Sequence, residues 1–237
     1  MPQTGPIDFH STDTIYELDF WRDDEKLIRC VKALIDAQKA ACLETLPLHR
    51  RYRPEPKAAF QVSPEALEAR LASGEQIDAA ATHGGISMEG PMVRRGLARL
   101  REKVDRMIAA RIQALFQNGS ELAVWPSGNF WYPPDGFMGW HTHLNLPGWR
   151  LYINYSEEGS HSFFRYRDPE TGEVVTAWDK GWNFRLFRVS QEKPIWHALY
   201  SGTNRFSLSY LIRTQDVIKP VEEEQIVPQT EPAWGIA

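Results

Sequence analysis

Residues 136–150, GFMGWHTHLNLPGWR, hold two histidines, His141 and His143, one residue apart. On a strand, side chains two apart leave the same face, so this pair can grip one metal ion. The plainer reading is two solvated strand histidines. A third, His197, stands in PIWHALYSGTNRFSLSY, where Arg205 and Ser207 follow it. Imidazole suits iron, zinc, copper and nickel, so three of them brought together form a transition-metal site. His10, His49, His83 and His161 have no partner pattern and read as surface or loop residues.

Such chemistry needs strands to position it, and the second half of the chain supplies them. After Gly119 the apolar period falls to about two residues. Short aromatic and β-branched runs follow: ELAVW, NFWY, FMGWHTH, RLYINYS, SFFRYRD, EVVTAWD, NFRLFRV, IWHALYS and RFSLSYLIR. DPETGE at 168–173 is a strong hairpin signal, and DKG and SGTN are weaker turns. Roughly nine strands so spaced predict an antiparallel sandwich or barrel. In RLYINY, Leu151, Ile153 and Tyr155 oppose Arg150, Tyr152 and Asn154. In RFSLSY, Phe206, Leu208 and Tyr210 oppose Arg205, Ser207 and Ser209. A polar face normally meets water, but arginines mixed with aromatics also line a polar pocket inside a barrel.

The first half reads helical. DDEKLIRCVKALIDAQKAACLETL spaces Leu27, Val31, Leu34 and Ile35 along one face. SPEALEARLASG has Ser63 to cap a helix, Pro64 to open it and Gly74 to close it. The stripe Val93, Leu97, Leu100, Val104, Met107, Ile108, Ile112, Leu115 predicts a helix over 91–116, buried in the core or against a second copy in a homodimer. The 74–91 segment reads as a long loop, a candidate lid. The chain therefore divides into a helical region over 1–120, a strand-rich core over 121–215 and an acidic, proline-rich tail over 216–237.

The totals agree with one sizeable α+β core in 237 residues, 42% hydrophobic and 24% charged. Six of the nine tryptophans fall between 125 and 182, which points to an aromatic-lined interior there. A net charge of −4 gives no general attraction for nucleic acid. Cys30 and Cys42 fall in one predicted helix, which argues against a disulfide framework and for a reducing compartment such as the cytoplasm. The start, MPQTGPIDFHSTD, lacks the pattern of a signal peptide, and no apolar run is long enough to cross a membrane.

The order His141-x-His143, a distal His197 and then Arg205-x-Ser207 resembles the iron(II)/2-oxoglutarate-dependent oxygenases. Their pattern is His-x-Asp/Glu, a distal His and Arg-x-Ser. The resemblance covers roughly residues 122–213. It implies a double-stranded β-helix (a jelly roll, cupin-like) with N-terminal helices packed on one sheet. It also implies iron(II) held by His141, His143 and His197. 2-Oxoglutarate is the implied cosubstrate, its distal carboxylate on the Arg205 fork with Ser207 beside it and Tyr132 as a further contact. The implied reaction hydroxylates a small amino-acid-like or peptidyl substrate, with succinate as coproduct. Trp140, Arg150, Tyr152, Asn154 and Arg165 are the substrate-pocket candidates.

One departure stands out. His143 occupies the carboxylate position, which leaves the metal complex one charge more positive. His143 can ligate, or swing aside and leave a place for water or chloride, as in halogenating members. Alternatively, Asp135 or Asp179 supplies the missing oxygen. Direct ligation by His143 is the preferred expectation. Three-histidine cupin dioxygenases, zinc lyases and a non-catalytic jelly-roll binding protein are the alternatives.

Overall fold

The computed structural model describes residues 6–11, 15–45, 57–74, 83–116, 121–143 and 146–214. Four α-helices lie among them, α1 (Glu25–Thr45), α2 (Ala58–Gln61), α3 (Pro64–Ser73) and α4 (Pro91–Leu115), with a short 3-10 helix over Asp19–Asp23. Their ends follow local chemistry. An Asp24 carboxylate oxygen accepts the Leu27 N–H at 2.9 Å, satisfying one of the donors that the first turn of α1 leaves open. Ser63 Oγ accepts the Ala66 N–H at 3.2 Å. Pro64 then opens α3, and Gly74 closes it in the left-handed region at φ 69°.

Eleven strands follow the chain: β1 (Ile15–Glu17), β2 (His83–Gly84), β3 (Ile86–Ser87), β4 (Leu122–Tyr132), β5 (Gly136–His141), β6 (Gly148–Ser156), β7 (Ser162–Arg167), β8 (Val174–Trp178), β9 (Trp182–Val189), β10 (His197–Ser201) and β11 (Arg205–Thr214). One sheet has the order β1-β9-β6-β11-β4-β3, the other β2-β5-β10-β7-β8. From β4 to β11 the chain passes between the two sheets, returning to the same one only at the β7–β8 hairpin. Every pairing among these strands is antiparallel. Eight strands wound in this order form a double-stranded β-helix.

The two faces of the first sheet have different fates. Leu151, Ile153, Phe206, Leu208 and Tyr210 point outward and join the α1 and α4 stripes in one buried cluster. The described part of the α4 stripe, Leu97 to Leu115, is therefore core within the chain. Arg150, Tyr152, Asn154, Arg205 and Ser207 are buried too, so the polar face lines the interior instead of meeting water. On the second sheet, Phe137, Trp140, Phe163, Trp196 and Ala198 bury Ala58, Val62 and Leu67 of the α2–α3 segment. Helices thus cover both outer faces, with the larger layer on the first sheet.

Three details differ from the sequence expectation. ELAVW and NFWY belong to one strand, β4, which runs through Pro126; the β4–β11 register shifts between Ser209 and Tyr210, opposite Pro126. Proline has no N–H for the ladder, and a bulge absorbs the defect. The stretch read as a loop contains β2, paired with β5, and β3, paired with β4. It straps the edges of both sheets together. β1, only three residues long, adds to the free edge of β9. Residues 75–82 of the candidate lid, the Asn118–Gly119 stop and the 216–237 tail lie outside the described residues.

Candidate metal centre

His141 ends β5 and pairs directly with His197, which begins β10. Farther along, Leu199 pairs with Met138, so β5 carries one extra residue between these two rungs. This bulge decides which way the neighbouring side chains point. Strict alternation would put Met138 and Trp140 on one face. Instead Met138 borders the interior cavity, while Trp140 turns outward and donates its indole N–H to the Ser63 carbonyl at 2.7 Å. His141, His143 and His197 come together, with ring centroids 4.1 to 5.1 Å apart. One ligand atom from each lies within 4.8 Å of the others. Neither Asp135 nor Asp179 belongs to this cluster.

Backbone carbonyls set the tautomers. His141 Nδ1 lies 2.8 Å from the Gly139 carbonyl and His197 Nδ1 lies 3.0 Å from the Ile195 carbonyl. A carbonyl can only accept, so each Nδ1 carries the proton and each Nε2 keeps the lone pair a metal needs. Burial, then the nearby His141 and Arg150, pushes the His143 imidazole down to about 2. Burial and the two other histidines likewise hold His197 well below its ordinary value. Neutral imidazoles are the ligand form. Three of them, with neutral charge and fixed rings, fit a divalent transition metal.

Beside the histidines is a cavity of about 590 Å³ bordered by Tyr132, Met138, His143, Arg150, Tyr152 and Ser207, among others. The Tyr152 hydroxyl lies 2.9 Å from His143 Nε2 and 3.2 Å from His197 Nε2. Burial pushes this phenol up to about 12, and the Tyr132 phenol is raised for the same reason. Arg150 is 3% exposed and meets no carboxylate among the described residues; its Nη2 reaches only the Leu146 carbonyl, at 3.5 Å.

Arg205 begins β11, two residues from Ser207 on the same inward face. Its Nε donates to Asp179 at 2.7 Å. Asp179 also accepts from Arg185 Nη1 at 3.0 Å and from the Ser156 hydroxyl at 2.8 Å. Burial alone would raise the Asp179 carboxyl, but the Arg205 and Arg185 guanidiniums prevail and hold it at about 2. Asp179 therefore anchors arginines and has no oxygen to spare for a metal. Arg205 Nη1 and Nη2 are buried without a partner among the described residues. A buried guanidinium with its outer fork unsatisfied is a cradle for a carboxylate.

The other sequence-predicted pocket residues divide. Asn154 is fully buried opposite Ser207, with neither amide atom partnered among the described residues. Trp140 and Arg165 are not brought to the cavity. Arg165 donates to Thr176 Oγ1 at 2.8 Å and to the Val62 carbonyl at 2.7 Å, on the outer side of the second sheet. Asn129, which sequence reasoning missed, is buried with both amide atoms unpartnered among the described residues, but it pairs with the outward-facing Leu208 of β11, so its side chain lies on the helix-covered side of the sheet and not inside the barrel. His83, read as a surface or loop residue, borders the cavity, its ring 5.5 Å from that of Phe130.

No family model and no curated protein matches this chain. Among solved structures it is similar to a Pseudomonas putida prolyl-4-hydroxylase, with 17% identity over 77% of this chain and 99% of that one, TM-score 0.35. It is also similar to a Trichoplax adhaerens prolyl hydroxylase in complex with a hypoxia inducible factor peptide fragment (11% identity, 78% and 93% of the two chains, TM-score 0.34). A third is a Burkholderia pseudomallei oxidoreductase of the 2OG-Fe(II) oxygenase family, with 14% identity over 76% and 90% of the chains and TM-score 0.39. All three scores lie under 0.5. The double-stranded β-helix is read from the chain's own strand order, and it carries a cluster of three histidines able to bind metal.

Proposed function

We propose that this chain is an iron(II)- and 2-oxoglutarate-dependent oxygenase that hydroxylates a small amino-acid-like or peptidyl substrate. The observation that carries the reading is the pairing of two features in one barrel. Three histidines converge on one point, and in the same barrel a buried guanidinium, held through its Nε by Asp179, has both Nη atoms without a partner among the described residues. A zinc lyase needs the first and has no use for the second.

The residues take these roles. His141, His143 and His197 hold the metal, and the Gly139 and Ile195 carbonyls fix the rings of His141 and His197. When bound with 2-oxoglutarate, iron(II) supplies oxidative decarboxylation of the cosubstrate coupled to insertion of oxygen into a C–H bond. Arg205 Nη1 and Nη2 take the distal carboxylate of the cosubstrate, with Asp179 holding the guanidinium plane in place. Ser207 adds a hydroxyl on the same face, and Tyr132 stands across the β4–β11 pair from Arg205. Arg150, at the cavity and lacking a carboxylate, orients an anionic group of the substrate. Met138 and Leu199 form an apolar wall that limits water at the site. Cys30 and Cys42 both lie on α1, twelve residues apart on one helix and out of reach of each other, which suits a reducing compartment such as the cytoplasm; no described helix is long and apolar enough to cross a membrane.

The test is anaerobic titration with iron(II) and 2-oxoglutarate, following the weak visible band of the metal chelate, then succinate formation in air. Wild type should show both. Arg205→Lys keeps the charge but loses the planar fork, and its apparent affinity for 2-oxoglutarate should drop at least about tenfold, one charge-assisted hydrogen bond's worth. Tight zinc binding with no response to 2-oxoglutarate would overturn the oxygenase reading in favour of a zinc lyase or a binding module.

A further inference from the structure

The three histidines do not account for every donor atom at this centre. Tyr152 Oη is 2.9 Å from His143 Nε2 and 3.2 Å from His197 Nε2. Ligand atoms about 2.1 Å from a common metal lie about 3.0 Å apart at right angles and about 3.4 Å apart in a tetrahedron. The two Tyr152 distances match that range. The spacing that makes two hydrogen bonds between protein atoms is also the spacing of neighbours in one coordination sphere. The phenol is not free to wander from it. Its ring meets Phe187 edge-on at 4.9 Å and Phe164 edge-on at 6.1 Å. On β6 it is held in register between Ser209 of β11 and Arg185 of β9.

Charge points the same way. Three imidazoles bring no negative charge, where a site with a carboxylate would bring one. Asp179 is committed to Arg185, Arg205 and Ser156, and Asp135 accepts from the Tyr200 hydroxyl at 2.6 Å, away from the cluster. We propose that Tyr152 is a fourth protein ligand, making a three-nitrogen, one-oxygen centre in which its phenolate supplies the charge that His143 does not. On binding, the phenol O–H bond is exchanged for a metal–oxygen bond and the proton leaves to solvent. This rests on the three-histidine part of the functional reading, not on the cosubstrate. It has a consequence for that reading: Tyr152 would hold the metal in the resting centre and would have to yield its place for the cosubstrate chemistry.

The experiment loads the full-length protein with iron(III) citrate, removes excess metal and measures bound iron beside the visible and resonance Raman spectra. The expected result is stoichiometric iron with an intense visible phenolate-to-iron band and phenolate ring modes. Tyr152→Phe, which keeps the ring against Phe164 and Phe187, should bind iron and lose the band. Stoichiometric iron without the band in wild type overturns the Tyr152 proposal and leaves the three-histidine site standing. A band that survives in Tyr152→Phe overturns it too, by assigning the band to another tyrosine. Failure of wild type to hold iron(III) overturns the Tyr152 proposal, while the three-histidine reading is decided separately by the anaerobic iron(II) titration. Should Tyr152→Phe fold poorly, Tyr132→Phe assigns the band between the two cavity tyrosines: a band that persists supports Tyr152, and one that disappears overturns the proposal.

Discussion

The Asp179 carboxylate sits between two buried guanidiniums, and Glu17 accepts from the Nε of Arg185 at 2.6 Å on its other side. Its folded value near 2 lies below the ordinary 3.8. Because the folded group is the stronger acid, its contribution is fully present above pH 3.8 and is lost as pH falls towards 2. That contribution is on the order of 2 kcal/mol. Asp179→Asn should remove it and leave Arg205 buried beside no anion, at a cost of about 3–5 kcal/mol. Urea titrations from pH 7 to pH 2 should show the wild-type acid limb, with Asp179→Asn both weaker at neutral pH and flatter below pH 4. Equal slopes in the two proteins would mean that this carboxylate does not govern acid stability. Of the residues at the centre, the histidines and Arg205-x-Ser207 are legible in sequence because their order along the chain survives any fold. The role of Asp179 is not, since nothing in TAWDKG names the two arginines that reach it. The outward turn of Trp140 is equally hidden, because it depends on a bulge set by the partner strand.

At the scale of elements, helices announce themselves through their ends: Ser63, Pro64 and Gly74 bound α3 as their chemistry requires. Two-residue strands cannot. β2 and β3 are recognisable only by their pairing with β5 and β4, and Gly85 lies between them. A Cβ built on Gly85 would come within 2.5 Å of Tyr132 Cε1, and Tyr132 is itself buried. Gly85→Ala should therefore destabilise the fold by about 1–3 kcal/mol, as overpacking does, and should weaken 2-oxoglutarate binding by displacing Tyr132. Gly96, inside α4, has nothing within 4 Å of its Cβ position. There the same change should stabilise by about 0.5–1 kcal/mol through helix propensity. Thermal melts and 2-oxoglutarate titrations of the two variants check both signs. Matching shifts in both would mean that the strap between the sheets does not bear on the site.

At the scale of the molecule, the three histidines of the candidate metal centre come from β5, the residues just after it, and β10, so an ion bound there would tie together parts of the second sheet that are distant in sequence. Binding only to the folded state stabilises it by mass action, by about 2.7 kcal/mol at a hundredfold excess over Kd. Iron(II) added without oxygen should raise the melting temperature, and a chelator should reverse the rise. His197→Ala should show neither response. The strand order also governs when this ion can be captured. β11 ends at Thr214 yet lies between β4 and β6 in the middle of the first sheet. A chain still emerging from the ribosome therefore has two open strand edges until β11 arrives, the kind of edge that invites pairing with other chains. Contacts of such long range also close slowly. A metal ion held by the three histidines would then be taken up late in the life of each molecule, as a stamp on finished chains and not as a nucleus for folding.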